Sequence, residues 1–188
     1  AVTDMRWMFF QSSGFNQPIG NWNLSKVTQT AGMFSGATSF NQPIGSWDVS
    51  AVTNMKDMFR WTPSFNQYLG NWNVSSVTNM QEMFKGSTTF NQNISKWNVS
   101  AATNMTDMFK NSSGLSSANK GLIHDSFSPN PNWPYDWSEY LQRPNQVLDL
   151  NGTVDLEMIW VEPGTFTMGS PSSEAGRSSH ERQRQVTV

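Results

Sequence analysis

A 25-residue unit recurs in register along this chain, its phase set by Phe15-Asn16-Gln17, Phe40-Asn41-Gln42, Phe65-Asn66-Gln67 and Phe90-Asn91-Gln92. The tryptophans keep step at Trp22, Trp47, Trp72 and Trp97, and a Met-Phe pair recurs at Met33-Phe34, Met58-Phe59, Met83-Phe84 and Met108-Phe109. One such unit is too small to bury its own apolar face, so its stability must come from stacking on its neighbours. A chain of that kind is suited to presenting an extended surface and poorly suited to enclosing an active site.

Composition narrows the partners. A charged fraction of 14% and a formal net charge of -2 give no electrostatic reason to bind nucleic acid or an anionic membrane. Charges within the repeats alternate in sign, as at Lys56 and Asp57 or Glu82 and Lys85, which reads as a solvated face. Cysteine is absent, which removes disulfides, thiolate metal sites and cysteine nucleophiles together, and no cofactor or metal is expected. No apolar run is long enough to insert in a bilayer, and no signal peptide opens the chain. Val2-Thr3 aligns with Val27-Thr28, so the first residue already lies inside a repeat and a longer parent chain is expected.

Within the unit from Phe65 to Thr89, Trp72 and Val74 are spaced to share one face of a short strand, with Asn71, Asn73 and Ser75 on the other. Met80, Met83 and Phe84 then stand at i, i+3 and i+4, the apolar stripe of a short helix. Thr78 and Gln81 have capping-box spacing, and Glu82, Asp57 and Asp107 fall in the first turn, where the helix dipole favours acid. Gly36 and Gly86 follow the Met-Phe pair, where a left-handed residue would close the last turn. Each unit therefore predicts strand, turn, helical turn and loop.

The motif W-[ND]-V-S-x-V-T-N-M-x-x-M-F, followed by F-N-Q, closely resembles a bacterial surface-protein repeat of about 25 residues grouped with the BspA-like leucine-rich repeats, over residues 2 to 115. The resemblance implies a leucine-rich-repeat-like solenoid of short parallel strands and short helices. It also implies a location on the bacterial surface or outside the cell, and a role in adhesion or protein binding. Gln29-Thr30-Ala31-Gly32 and Ala102 depart from the motif, so those turns are expected to be less regular.

Several columns have both a functional and a structural reading. The tryptophan column could stack sugars, but it shares its face with Val and reads as core. The methionine column reads as packing rather than a soft metal path. The column Asn16, Asn41, Asn66 and Asn91 reads as a buried ladder that satisfies turn backbone. The ligand-binding candidates are Asn23, Asp48, Asn73 and Asn98, with Ser25, Ser50, Ser75 and Ser100 beside them, because this row should face solvent. Solubility alone is the competing explanation, and the Asn-x-Ser triplets that the row contains follow from repetition. The partner expected is an extracellular protein or glycan. Met5, Met8 and Phe9 lack a covering strand, which raises end-to-end self-association as a further possibility. His124 and His180 have no partner constellation for nucleophile or metal chemistry.

The period fades after Leu115, with Leu122 in the tryptophan column, and Phe127, Trp133, Tyr135 and Trp137 among prolines read as a cap over the last layer. The predicted organisation is a repeat array over residues 1–115, a cap over 116–138, a linker over 139–155 and the start of a second domain over 156–188. The stretch Met158 to Ser170 alternates like a strand pair around Pro163-Gly164. With Val186-Thr187-Val188 it is similar to the opening of the formylglycine-generating enzyme, or sulfatase-modifying factor, family. That family's catalytic positions would follow Val188, so no catalytic residue and no enzyme activity are carried over. Two functions follow: a non-catalytic surface binding module, or a targeting or spacer arm for an enzyme of the formylglycine-generating type.

Overall fold

The computed structural model describes residues 1–141 in full and, beyond them, the backbone of 146–149, 155–158, 165–168 and 184–187. The chain divides into two compact units, Ala1–Gln142 and Arg143–Val188. The first is a pile of coils of identical conformation: coil 1 over residues 1–25, coil 2 over 26–50, coil 3 over 51–75, coil 4 over 76–100 and a partial coil 5 over 101–115.

The predicted leucine-rich-repeat-like solenoid of strands and helices does not form. Residues 1–115 contain neither a strand nor a helix, and parallel pairing shrinks to one isolated bridge per junction, Asp4 to Gln29, Gln29 to Asn54, Asn54 to Asn79 and Asn79 to Asn104. The hydrogen bonds give the reason. In coil 4 the N–H groups of Met80, Glu82, Phe84 and Gly86 donate to Asn104, Thr106, Met108 and Lys110 in the next coil. Over this stretch the alternate N–H groups of Met83, Lys85 and Ser87 donate within the coil, each to the carbonyl three residues back. A helix would keep every donor to itself, four residues back.

Every junction has the same five bonds between coils, four running forward and one back through Thr28, Thr53, Thr78 or Thr103, all at 2.8–3.1 Å. The alternation needs two left-handed residues per coil. They are Trp7 and Gln11, Gly32 and Gly36, Asp57 and Trp61, Glu82 and Gly86, and Asp107 and Asn111, with φ between 52° and 75°. A non-glycine residue there costs about 1–2 kcal/mol, while five net hydrogen bonds at roughly 1 kcal/mol each outweigh two such residues. Asp57, Glu82 and Asp107 are thus left-handed residues rather than first-turn helix acids. The departures at Gln29-Thr30-Ala31-Gly32 and Ala102 do not disturb the pattern, since Thr30 donates to Asn54 and Ala102 is buried.

The aromatic columns form the core. Within each coil two phenylalanine rings stack, as Phe34 on Phe40 at 3.9 Å and Phe59 on Phe65 at 4.2 Å. Phe34, Phe59 and Phe84 then repeat at 5.7 and 5.6 Å, and Trp47, Trp72 and Trp97 at 6.4 and 6.3 Å. Those three tryptophans are 3% exposed and each donates its indole N–H to the preceding coil, to Ile19, Ile44 and Leu69. Met33, Met58, Met83 and Met108 are fully buried beside them. Thr62, Ser87 and Ser112 are buried polar residues whose hydroxyls donate to Phe34, Phe59 and Phe84 carbonyls one coil earlier.

Leu115 leads into the helix α1, Ser117–Phe127, whose N-cap Ser116 accepts from the Asn119 N–H. Ile123 and Phe127 turn inward, whereas Leu122, which the period places in the tryptophan column, is 48% exposed. Trp133, Tyr135 and Trp137 pack on Phe109 at 6.3, 6.2 and 5.6 Å. The Tyr135 hydroxyl accepts the Phe109 N–H at 2.7 Å, the donor that in every earlier coil serves the next one. A single 3-10 turn, Ser138–Tyr140, lies against α1. In the second unit β1 (Gln146–Asp149) pairs antiparallel with β2 (Asp155–Met158), and β3 (Thr165–Met168) with β4 (Arg184–Thr187). β2 and β3, which flank Pro163-Gly164, therefore do not pair with each other.

Candidate binding edge

The row Asn23, Asp48, Asn73 and Asn98 is solvent-exposed, but it lies on irregular backbone just ahead of a turn rather than on strands. Each side chain turns back on its own coil. Their Oδ1 atoms accept the N–H of Ser25, Ser50, Ser75 and Ser100 at 3.0, 3.1, 3.2 and 3.0 Å. The hydroxyls of Ser50 and Ser75 donate to the same oxygens at 2.6 and 2.8 Å, and the Ser50 hydroxyl holds the Asp48 carboxyl below its ordinary range. These are Asx turns, which fix both the backbone and the side-chain rotamer. One end of each side chain is thereby occupied, and the other end, Nδ2 of the three asparagines and Oδ2 of Asp48, has no hydrogen-bond partner among the described residues. The four groups are held in one orientation, one per coil.

The Asn16, Asn41, Asn66 and Asn91 column is a ladder, though an exposed one rather than a buried one. Each Oδ1 accepts the N–H one coil later, of Asn41, Asn66, Asn91 and Ser116 at 2.9–3.0 Å. It also accepts the amide of Gln42, Gln67 or Gln92, and at the top Asn119 takes the glutamine's part at 2.8 Å. With their oxygens used in this way, the column holds coils together.

A further edge was not legible as a unit. Asp57, Arg60, Glu82, Lys85, Asp107 and Lys110 form a zigzag of alternating charge across coils 3 to 5, with contacts of 3.7, 3.1, 3.1, 3.4 and 3.0 Å. This is no freely solvated face, since Asp57 is 4% exposed and desolvation raises its carboxyl above the ordinary range against the pull of Arg60 and Lys56. Arg60 Nε lies 3.1 Å from Glu82 Oε2 but off the hydrogen-bond axis, so the contact is Coulombic only. Reading the charges down the repeat columns, rather than along the chain, is the signal that exposes the ladder. Among the described residues no group of three or more His, Asp or Glu side chains is placed to hold a metal ion. No helix of the described residues is long and apolar enough to cross a membrane. His180 lies outside the described residues.

Fold and edge together define a repeat protein made of stacked, turn-built coils whose rim displays a periodic row of three amides and one carboxylate. A family model described as "Mycoplasma protein of unknown function, DUF285" matches residues 1–74 and again 43–123, and the chain belongs to that family. No curated protein and no solved structure matches the chain.

Proposed function

We propose that the coil array is a non-catalytic binding module that grips an extracellular protein or glycan along the row Asn23, Asp48, Asn73 and Asn98. One observation supports this: each Oδ1 is committed to the turn that follows, so all three asparagines hold Nδ2 in the same posture, already ordered before any partner arrives. Preordered donors lose little entropy on binding, and several weak contacts on one rigid rim add up through multivalency. The partner must supply acceptors, such as backbone carbonyls or sugar hydroxyls, opposite the asparagines and a donor opposite Asp48, at the spacing of the coils. Placement at the bacterial surface is supported by the motif's resemblance to surface-protein repeats.

The test separates binding from folding. In Asn73→Asp/Asn98→Asp the Oδ1 acceptor of each turn survives, as Asp48 shows, while the outward donor is replaced by a carboxylate. On a panel of immobilised glycans and extracellular-matrix proteins, the wild-type chain binds and the double variant loses at least about tenfold in affinity, the worth of one to two hydrogen bonds. Equal binding by both, or no binding by the wild type anywhere on the panel, refutes the reading.

A further inference from the structure

The cap contains a titratable side chain that the binding edge does not use. His124 is half-buried near the end of α1, and its Nδ1 accepts the indole N–H of Trp133 at 3.1 Å, with the Trp137 backbone N–H 3.5 Å from the same nitrogen. An indole nitrogen can only donate. The imidazole must therefore present a lone pair at Nδ1 and carry its proton on Nε2. A second proton would set donor against donor at both contacts.

What hangs on that lone pair is the closure of the stack. Trp133 stands edge-on to Phe127 at 5.2 Å, to Tyr135 at 5.1 Å and to Trp137 at 5.3 Å. Tyr135 in turn receives the Phe109 N–H, and burial pushes its phenol up to about 12, so it remains a neutral partner throughout the physiological range. The charged groups nearby do not substitute for the lost contacts. Asp136 is exposed and feels the imidazole only weakly, its carboxyl being engaged first by Ser138. On α1, Lys120 lies over the Trp137 and Tyr140 rings at 5.9 and 5.0 Å, and Asp125 is exposed. Glu139 in the 3-10 turn is engaged with Tyr140; from coil 5 Asp107 and the Lys110 backbone face Tyr135, and the Lys110 ammonium is held by Asp107.

We propose that His124 is a pH-sensitive latch on the cap: neutral, it holds Trp133 and Trp137 over the last coil, and protonated, it lets them go and uncovers the Phe109 and Phe127 rings. The proton and the closed cap compete for one lone pair, so acid favours the open cap and loss of the proton restores the closed one. The consequence is an apolar end surface shown only in mildly acidic surroundings.

The test is NMR on the full chain between about pH 8 and about pH 5, which brackets the histidine range. At the upper end the His124 ring nitrogens should report the Nε2–H tautomer. Towards the lower end the protection of the Trp133 indole proton, its exchange slowing relative to a free indole at the same pH and assigned with Trp133→Phe, should fall roughly fivefold or more, the worth of one lost hydrogen bond. In His124→Asn the side-chain oxygen can accept like Nδ1 but takes no proton, and the protection should be retained and equal at both ends of the range. An Nδ1–H tautomer in the wild type overturns the proposal even if the variant fails to fold. So does pH-independent protection in the wild type, or a pH profile of protection that is unchanged in His124→Asn.

Discussion

The indole of Trp61 lies against Gly86, one coil further on, so closely that a methyl group at Gly86 would collide with the ring. Both residues are left-handed, with φ of 52° and 71°. Trp7 and Gly32 repeat the arrangement near the start of the chain. A Gly86→Ala substitution therefore meets two penalties, the Cβ strain of a positive φ and the collision with the ring. The strain alone is worth about 1–2 kcal/mol. Urea denaturation should show a larger loss than that, and a Trp61→Ala background should recover the excess but not the strain. Equal losses in both backgrounds would mean that the ring does not rest on the glycine.

The tryptophan column combines packing with a buried donor. Trp72→Phe keeps most of the apolar volume but removes the N–H that serves the Ile44 carbonyl. That carbonyl still accepts the Trp47 N–H at 3.1 Å, so the loss is one hydrogen bond, about 1 kcal/mol. Phe59→Ala should be worse, at roughly 3–5 kcal/mol for a large ring removed from a close-packed interior. Because every coil leans on the next, either change should broaden the thermal transition into separate steps for the coils on each side.

The asparagine ladder distinguishes an acceptor role from an amide role. Asn66 Oδ1 receives the Asn91 N–H at 2.9 Å and the Gln92 amide at 2.8 Å. Asn66→Ala should cost about 1–2 kcal/mol by analogy with the loss of a side-chain cap. Asn66→Asp keeps the oxygen and should cost much less, as measured by chemical denaturation. If aspartate is as damaging as alanine, the ladder depends on something other than the oxygen.

Two acids in the charge ladder should respond to pH in opposite senses. Burial raises Asp57, so the folded chain holds that proton more tightly than the unfolded one, and the contribution to stability grows as pH falls through the ordinary aspartate range. The hydrogen bond from Lys110 lowers Asp107, so its contribution is present above that range and is lost as pH falls through its depressed value. Asp107→Asn should thus destabilise at neutral pH and match the wild type in strong acid. Asp57→Asn should be neutral or stabilising at neutral pH and erase the acid-side gain. Stability curves against pH for the two variants check both signs.

Much of the interior was legible because stacking imposes a simple rule, that a residue rests on its own counterpart one unit away. Phe59 must match Phe34 and Phe84, and Trp72 must match Trp47 and Trp97, so size recurs at each buried position and the core can be read from the period. The solvent-facing row at Asn23, Asp48, Asn73 and Asn98 was visible for the same reason, being the polar counterpart of Trp and Val neighbours that go inward. Its tie to the following serine was not read, since a side-chain oxygen two residues from a free N–H forms an Asx turn only once the backbone bends there. The charge ladder was missed because its partners are neighbours across coils, such as Lys85 and Asp107, and look unrelated along the chain.

The sequence by itself determined the length of each coil, its phase and the identity of the buried columns, since those depend only on like stacking on like. Only the tertiary structure decided how the backbone runs between them. Met80, Met83 and Phe84 fit a helix by spacing alone, and what defeats the helix is a carbonyl row one coil away that claims every second N–H and leaves Glu82 and Gly86 left-handed. Local spacing cannot report on such a row, because the competing acceptors are distant in the chain and become neighbours only when the coils stack.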